Sequence, residues 1–575
     1  MNIMTMNKTI LFAAFFLLAA AVSCKEENIG PAMENYPPEI TFDSEDNIYT
    51  VKAGKEIRIA PTVSNAENAV YSWRTETGTL SEDSVFVYVF DEPGQVFVTL
   101  TVATEYGQDS EEIRIDVASL VIPEISLTVP DGGYNIALGS ELKIIPAVRH
   151  GDVSVFSWKV NDIEVSSGPE YLFVGETIGT FDVEFTATAE DGSDMKAFAV
   201  NVLDPSEIPF EWTFESDEFN VSLGRRIRIR PYNIKNAEGA VYSWSVDGEE
   251  VQSGSEDMFI FEASEEGVYK VTATMSNSTV KVDKHLTVNV CPVEGTYRRP
   301  STGNADWDRV YEFLPAPGQF VNENYTATTM EEAIQYAEGR LEAQQYVSLG
   351  GFGGYIVIGF DHSVENSGSY DFQIIGNSFD GSSEPGIVWV MQDENGNGLP
   401  DDTWYELKGS EYGKPETISD YEVTYYRPSA PQMPVQWTDN LGNSGEIDYL
   451  AAFHRQDYYY PAWVEDDTYV LKGTRLEPRT EMITENYWVN NEYEWGYADN
   501  FSPIDRLTDD DNYNAGANAN HFRISDAVTF DGQPANLEYI DFIKVVTGVN
   551  VKAGWLGENS TEVFGARDYH LVPKE

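Results

Sequence analysis

The chain has 575 residues, enough for several domains with sizeable cores. Its formal net charge of −60, from 96 acidic against 36 basic residues, excludes nucleic acid as a partner, because a phosphate backbone would be repelled. Aromatic residues make up 13 % of it, too many for an acidic disordered chain, and scarce helical periodicity points to strands.

Lys8 precedes an apolar core from Ile10 to Val22 that is too short to span a membrane, and small residues at Ala21 and Ser23 lead into Cys24. This stretch resembles a bacterial lipoprotein signal with its lipobox. The resemblance implies cleavage after residue 23, lipidation of Cys24 and a membrane anchor. Lys25-Glu26-Glu27 resembles the acidic export tag of Bacteroidota surface lipoproteins, which implies an outer-membrane protein exposed on the cell surface. Residues 24–36, with Pro31, form the linker. With Cys24 lipidated, Cys291 has no partner in the chain, so no disulfide framework is expected.

The chain then repeats itself. Val70-Tyr71-Ser72-Trp73 recurs as Val155-Phe156-Ser157-Trp158 and as Val241-Tyr242-Ser243-Trp244, preceded each time by a glycine (Gly54, Gly139, Gly224) and a proline (Pro61, Pro146, Pro231). A period of about 85 residues suits a small sandwich domain and exceeds a solenoid unit. Glu56-Ile57-Arg58-Ile59 and Arg226-Ile227-Arg228-Ile229 alternate with period two, as half-buried strands do. Each tryptophan is expected in the core, its N–H near a backbone acceptor. The three units, 37–119, 120–204 and 205–291, resemble PKD-type immunoglobulin-like modules, which implies three spacers of roughly 35–40 Å each.

Residues 292–575 differ in composition and are read as one ligand-binding β-sandwich, jelly-roll-like, with a short helix. Thr329 and Glu332 form a capping box ahead of Ala333, Ile334, Ala337 and Leu341. Strands are expected at 355–360, 370–375, 387–391, 404–407, 421–426, 468–472, 521–524 and 540–546. The whole chain is therefore all-β, three sandwiches followed by a larger one.

Between two of those strands lies Asp393-Glu394-Asn395-Gly396-Asn397-Gly398-Leu399-Pro400-Asp401-Asp402, with oxygen side chains at alternate positions and two glycines, a pattern suited to calcium. Asp393, Asn395, Asn397 and Asp401 fall at positions one, three, five and nine. The twelfth is Trp404 where an EF-hand has glutamate, so Asp402 or Glu406 would close the site. A polar hairpin rich in turn formers has the same composition. Asp505 with Asp509, Asp510 and Asp511 makes a second acidic cluster, read as a solvated loop.

Asp457-Tyr458-Tyr459-Tyr460-Pro461-Ala462-Trp463, Tyr487-Trp488 and Tyr493-Glu494-Trp495-Gly496-Tyr497 crowd rings that cannot all enter one core, because neighbours on a strand face opposite ways. Tyr458, Tyr460, Trp463, Trp488 and Trp495 are the candidate ligand-binding residues. Signatures of zinc proteases, serine hydrolases, phosphate loops and dinucleotide binding are missing, and a non-catalytic protein is expected.

The runs Tyr346-Val347-Ser348-Leu349-Gly350-Gly351-Phe352-Gly353-Gly354, Ser383-Glu384-Pro385-Gly386-Ile387-Val388-Trp389-Val390 and Thr547-Gly548-Val549-Asn550-Val551-Lys552-Ala553-Gly554 resemble a family of Bacteroidota cell-surface proteins. Such proteins look like surface partners of outer-membrane uptake systems, some tied to cobalamin acquisition. The resemblance implies a lipid-anchored protein that captures a corrinoid, or by its aromatics a glycan, for an outer-membrane transporter. A surface polysaccharide hydrolase and a structural or adhesive protein are the alternatives.

Overall fold

Trp73, Trp158 and Trp244, the landmarks of the repeat, are each 0 % exposed in the computed structural model. The structure describes residues 36–573 apart from Glu45, Glu238, Thr302, 485–486 and 508–517. The leader, Cys24 and Lys25-Glu26-Glu27 lie outside the described residues, as do Asp509, Asp510 and Asp511. Among the described residues no helix is long and apolar enough to cross a membrane. The chain divides into two compact units, Met1–Leu120 and Val121–Glu575.

The first unit holds the first repeat. Its five-stranded sheet runs Ile48–Lys52, Gly107–Ala118, Gly94–Thr104, Val70–Thr75, Gly78–Ser81 across the sheet, the first pair parallel and the others antiparallel. Two short ladders, Glu39–Thr41 with Thr62–Ser64 and Glu56–Ile59 with Phe86–Val89, cover the core around Trp73. Alternation dictates this: Ile57 and Ile59 point inward while Glu56 and Arg58 stay exposed.

The second and third repeats, in the other unit, have the same strand order. The tryptophan N–H donates to the carbonyl ten residues on in the first two repeats, Trp73 to Asp83 and Trp158 to Gly168, each at 2.9 Å. Trp244 departs from this expectation, and its N–H is buried without a partner. There the neighbouring strand is longer, Glu249–Gly254, and pairs Gly254 with Tyr242, which commits to the ladder the segment that elsewhere curls over the indole.

The C-terminal region is an all-β sandwich with one helix. A six-stranded antiparallel sheet has the order Arg309–Leu314, Tyr355–Glu365, Tyr539–Thr547, Gly386–Met391, Tyr405–Leu407, Ala527–Val528. It shares a core with the three-stranded sheet of Asn518–Phe522, Phe372–Gly376 and Gly565–Asp568 and with the helix α1, Met330–Glu342. Thr329 caps α1 by accepting from the Glu332 N–H, while Glu332 reaches back to Thr328 instead of Thr329. A four-stranded sheet, with Ile418–Tyr426 and Thr468–Arg475 at its centre and edge, builds a second core around Phe352, Tyr421 and Tyr425.

Repeats two and three dock on this region. In the strand Arg226–Ile229, Ile227 and Ile229 enter the repeat's core. The arginines face acidic partners: Arg226 meets Asp531 at 2.7 Å, and Arg228 grips Asp420 with two bonds of 3.1 and 2.8 Å. Next to that strand, Arg225 pairs at 2.6 Å with Glu394, whose side chain is 4 % exposed. The second repeat contributes Arg149 to the Pro431 carbonyl, the Ser126 hydroxyl to the Ser429 N–H, and Ala147 against Ala430 and Met433.

Removing Arg225 strands a buried carboxylate, a loss of about 3–5 kcal/mol for a fully enclosed pair, which the partial exposure of Arg225 reduces to about 2 kcal/mol. Arg228 and Asp420 are each about one-third exposed, so Arg228→Ala is expected to cost less than about 1 kcal/mol. Urea unfolding of the whole chain compares the two, and equal losses would contradict the burial argument.

Candidate functional site

The calcium-type loop is built, and most of its oxygens have protein partners, while Asp402 Oδ1 and Glu394 Oε2 are buried without a hydrogen bond. Asp393 accepts from the Gly396 and Gly398 N–H groups at 2.8 and 3.0 Å, and Asp402 from those of Glu394 and Asn395 at 2.9 and 3.2 Å. Asn395 and Asn397 donate to Asp401, which also accepts from Asn220 of the third repeat. These bonds are those of a polar turn that satisfies its own backbone. Glu406 is apart from the loop's hydrogen bonds, accepting from Thr474 at 2.5 Å, and burial pushes its carboxyl up to about 7.

The candidate rings separate. Tyr460 belongs to the second core and donates to the Asp466 carbonyl, so it packs instead of facing a ligand. Tyr458 is exposed. Trp488 lies so close to Gly554 that any side chain there would collide with the indole. Trp495 borders a cleft with Tyr370, Lys408 and Arg523. Trp463 lines a different cavity, beside α1. The nominated residues therefore do not share one face.

That cavity brings together residues no local pattern marked. Phe320, Tyr325, Tyr336 and Tyr346 give it aromatic walls, with Tyr325 stacked on Tyr336 at 5.9 Å. Arg340 lies over Tyr346 and donates to its carbonyl, which holds the ring in place. Asn322 spends its amide N–H on the carbonyls of Tyr458 and Tyr460, tying the cavity to the tyrosine run. Its Oδ1 has no partner, and neither has the Nε1 of Trp463, so one acceptor and one donor on lining residues are unmatched. α1 supplies Ala333, Tyr336 and Arg340 from one face because three- and four-residue steps recur on the same side of a helix.

Behind Ser348, a lining residue, the strand Val347–Ser348 pairs with Glu562–Val563 in register Ser348 to Glu562. Glu562, Glu384 and Asp499 each bring a carboxylate oxygen to within 4.8 Å of the others, the group among the described residues with spacing fit for a metal ion. Burial pushes all three carboxyls up, Asp499 to about 8.

Two histidines are held between carboxylates. His362 is buried between Asp361 and Asp568, at 2.6 and 3.1 Å. His570 pairs with Asp371 at 3.3 Å and Asp568 at 3.2 Å, and these bonds, Asp371 first, push its imidazole up to about 9. A folded-state pKa above the unfolded value of about 6.5 means that this pairing stabilises fully below pH 6.5 and is lost as pH rises through about 9. The gap in melting temperature between the wild type and His570→Gln is therefore expected to narrow from about pH 6 to pH 9.5; a constant gap would show that the charge on His570 contributes nothing.

Residues 37–104, 122–189 and 210–277 each match the PKD-like domain family, so the chain carries three tandem PKD-like domains of immunoglobulin type. None of the curated proteins matches the chain. Among solved structures, the I67–I69 fragment of the titin I-band is similar at 12 % identity and a TM-score of 0.24, over 44 % of this chain and 98 % of that one. Fibronectin(III)-like modules of CbhA from Clostridium thermocellum are similar at 18 % identity and a TM-score of 0.17, over 29 % of this chain and 95 % of that one. TM-scores this low lend no weight to a functional reading.

Proposed function

We propose that the protein is a non-catalytic, lipid-anchored surface protein whose C-terminal region captures a saccharide for an outer-membrane transporter, with its PKD-like domains as the supporting stalk. The PKD-like domains fit a structural or adhesive role, and Cys24 is the anchoring residue. The observation that carries the ligand reading is the set of aromatic rings gathered around one cleft, Phe320, Tyr325, Tyr336, Tyr346 and Trp463. A sugar ring offers apolar C–H faces to such rings and hydroxyls that both donate and accept.

Calorimetric titration of the mature chain with neutral oligosaccharides and with cobalamin tests this. Saccharide binding without turnover is expected, weakened at least tenfold, about 1.4 kcal/mol, by Trp463→Ala and unchanged by Trp495→Ala. Cobalamin binding that Trp463→Ala leaves intact, or release of reducing ends, would overturn the reading.

A further inference from the structure

We infer that Glu384, Asp499 and Glu562 bind a divalent cation of the calcium class, at a site separate from the 393–402 loop. Asp499 and Glu562 are almost wholly buried and Glu384 is partly so. Asp499 is fixed from two sides, accepting from the N–H groups of Asn377 and Glu562 at 2.9 Å each. Glu562 is the telling residue. It is 3 % exposed, its enclosed Oε2 is faced by no donor group, and its carboxyl meets those of Glu384 and Asp499. Burial, and after it the charge of the neighbouring carboxyls, pushes the Asp499 and Glu562 carboxyls up. Three carboxylates gathered out of water with an open lone pair are costly unless a cation joins them.

The donor set selects the ion. Carboxylate oxygens alone, with neither thiolate nor imidazole, suit calcium or magnesium and disfavour zinc or copper. The surroundings leave room for little else. A side chain at Gly376 would come within 2.6 Å of Asp499 Oδ1. The ion would cross-link the entry to the strand Gly386–Met391, the loop at Asp499 and the strand Glu562–Val563. This inference stands whether or not the cavity binds a saccharide.

The test is a melting curve of the whole mature chain in chelator and in millimolar calcium. Calcium is expected to raise the wild-type melting temperature by about 5 °C. Glu562→Gln should lose that response, yet in chelator melt no lower than wild type, because one repelling charge is gone; this reversal of order separates ligand loss from misfolding. Glu384→Gln, at the less buried ligand, should behave likewise if Glu562→Gln does not fold. Asp393→Asn should keep the calcium response. No calcium effect on the wild type would overturn the site, as would a response that survives both glutamine variants or disappears with Asp393→Asn.

Discussion

A carboxylate taken out of water inside this chain has to meet a donor or a cation, and much of the architecture follows from that constraint. With 96 acidic residues, the protein cannot keep them all at the surface. Asp393 and Asp499 accept from backbone N–H groups, as does one oxygen of Asp402. Asp541 takes Arg298 and the Ser363 hydroxyl. Glu394 has Arg225, which comes from a different domain. The same demand thus shapes a turn, a core and a domain contact.

The third repeat does two jobs with one strand. Period-two alternation sends Ile227 and Ile229 into its sandwich and turns Arg226 and Arg228 outward, where an acidic neighbour supplies Asp531 and Asp420. Arg225, Arg226 and Arg228 hold the third repeat to the C-terminal region. Repeats two and three consequently form one unit with the C-terminal region instead of standing off as independent spacers.

Local patterns were legible and their assembly was not. Alternation located the strands and the capping box located α1, because both signals span only a few neighbours. The 393–402 run shows the limit: aspartate, asparagine and glycine at these spacings serve a cation loop and a self-bonded turn equally, and only the direction of each oxygen distinguishes them. The aromatic cavity draws Phe320, Tyr346 and Trp463 from distant segments, and no periodicity links them. Glu384, Asp499 and Glu562 were hidden for the same reason, three carboxylates among many, brought together by sheet pairing alone.

The passage from the third repeat into the C-terminal region is itself stitched down. The N–H groups of Glu294 and Gly295 both donate to the Glu394 carbonyl at 2.9 Å, and a side chain at Gly295 would collide with the Asp393 carbonyl. This junction is therefore a poor place for evolution to shuffle modules. A C-terminal portion recombined behind some other immunoglobulin-like neighbour would inherit Glu394, Asp420 and Asp531 without their arginines, so repeat three and the sandwich should travel through lineages as a pair.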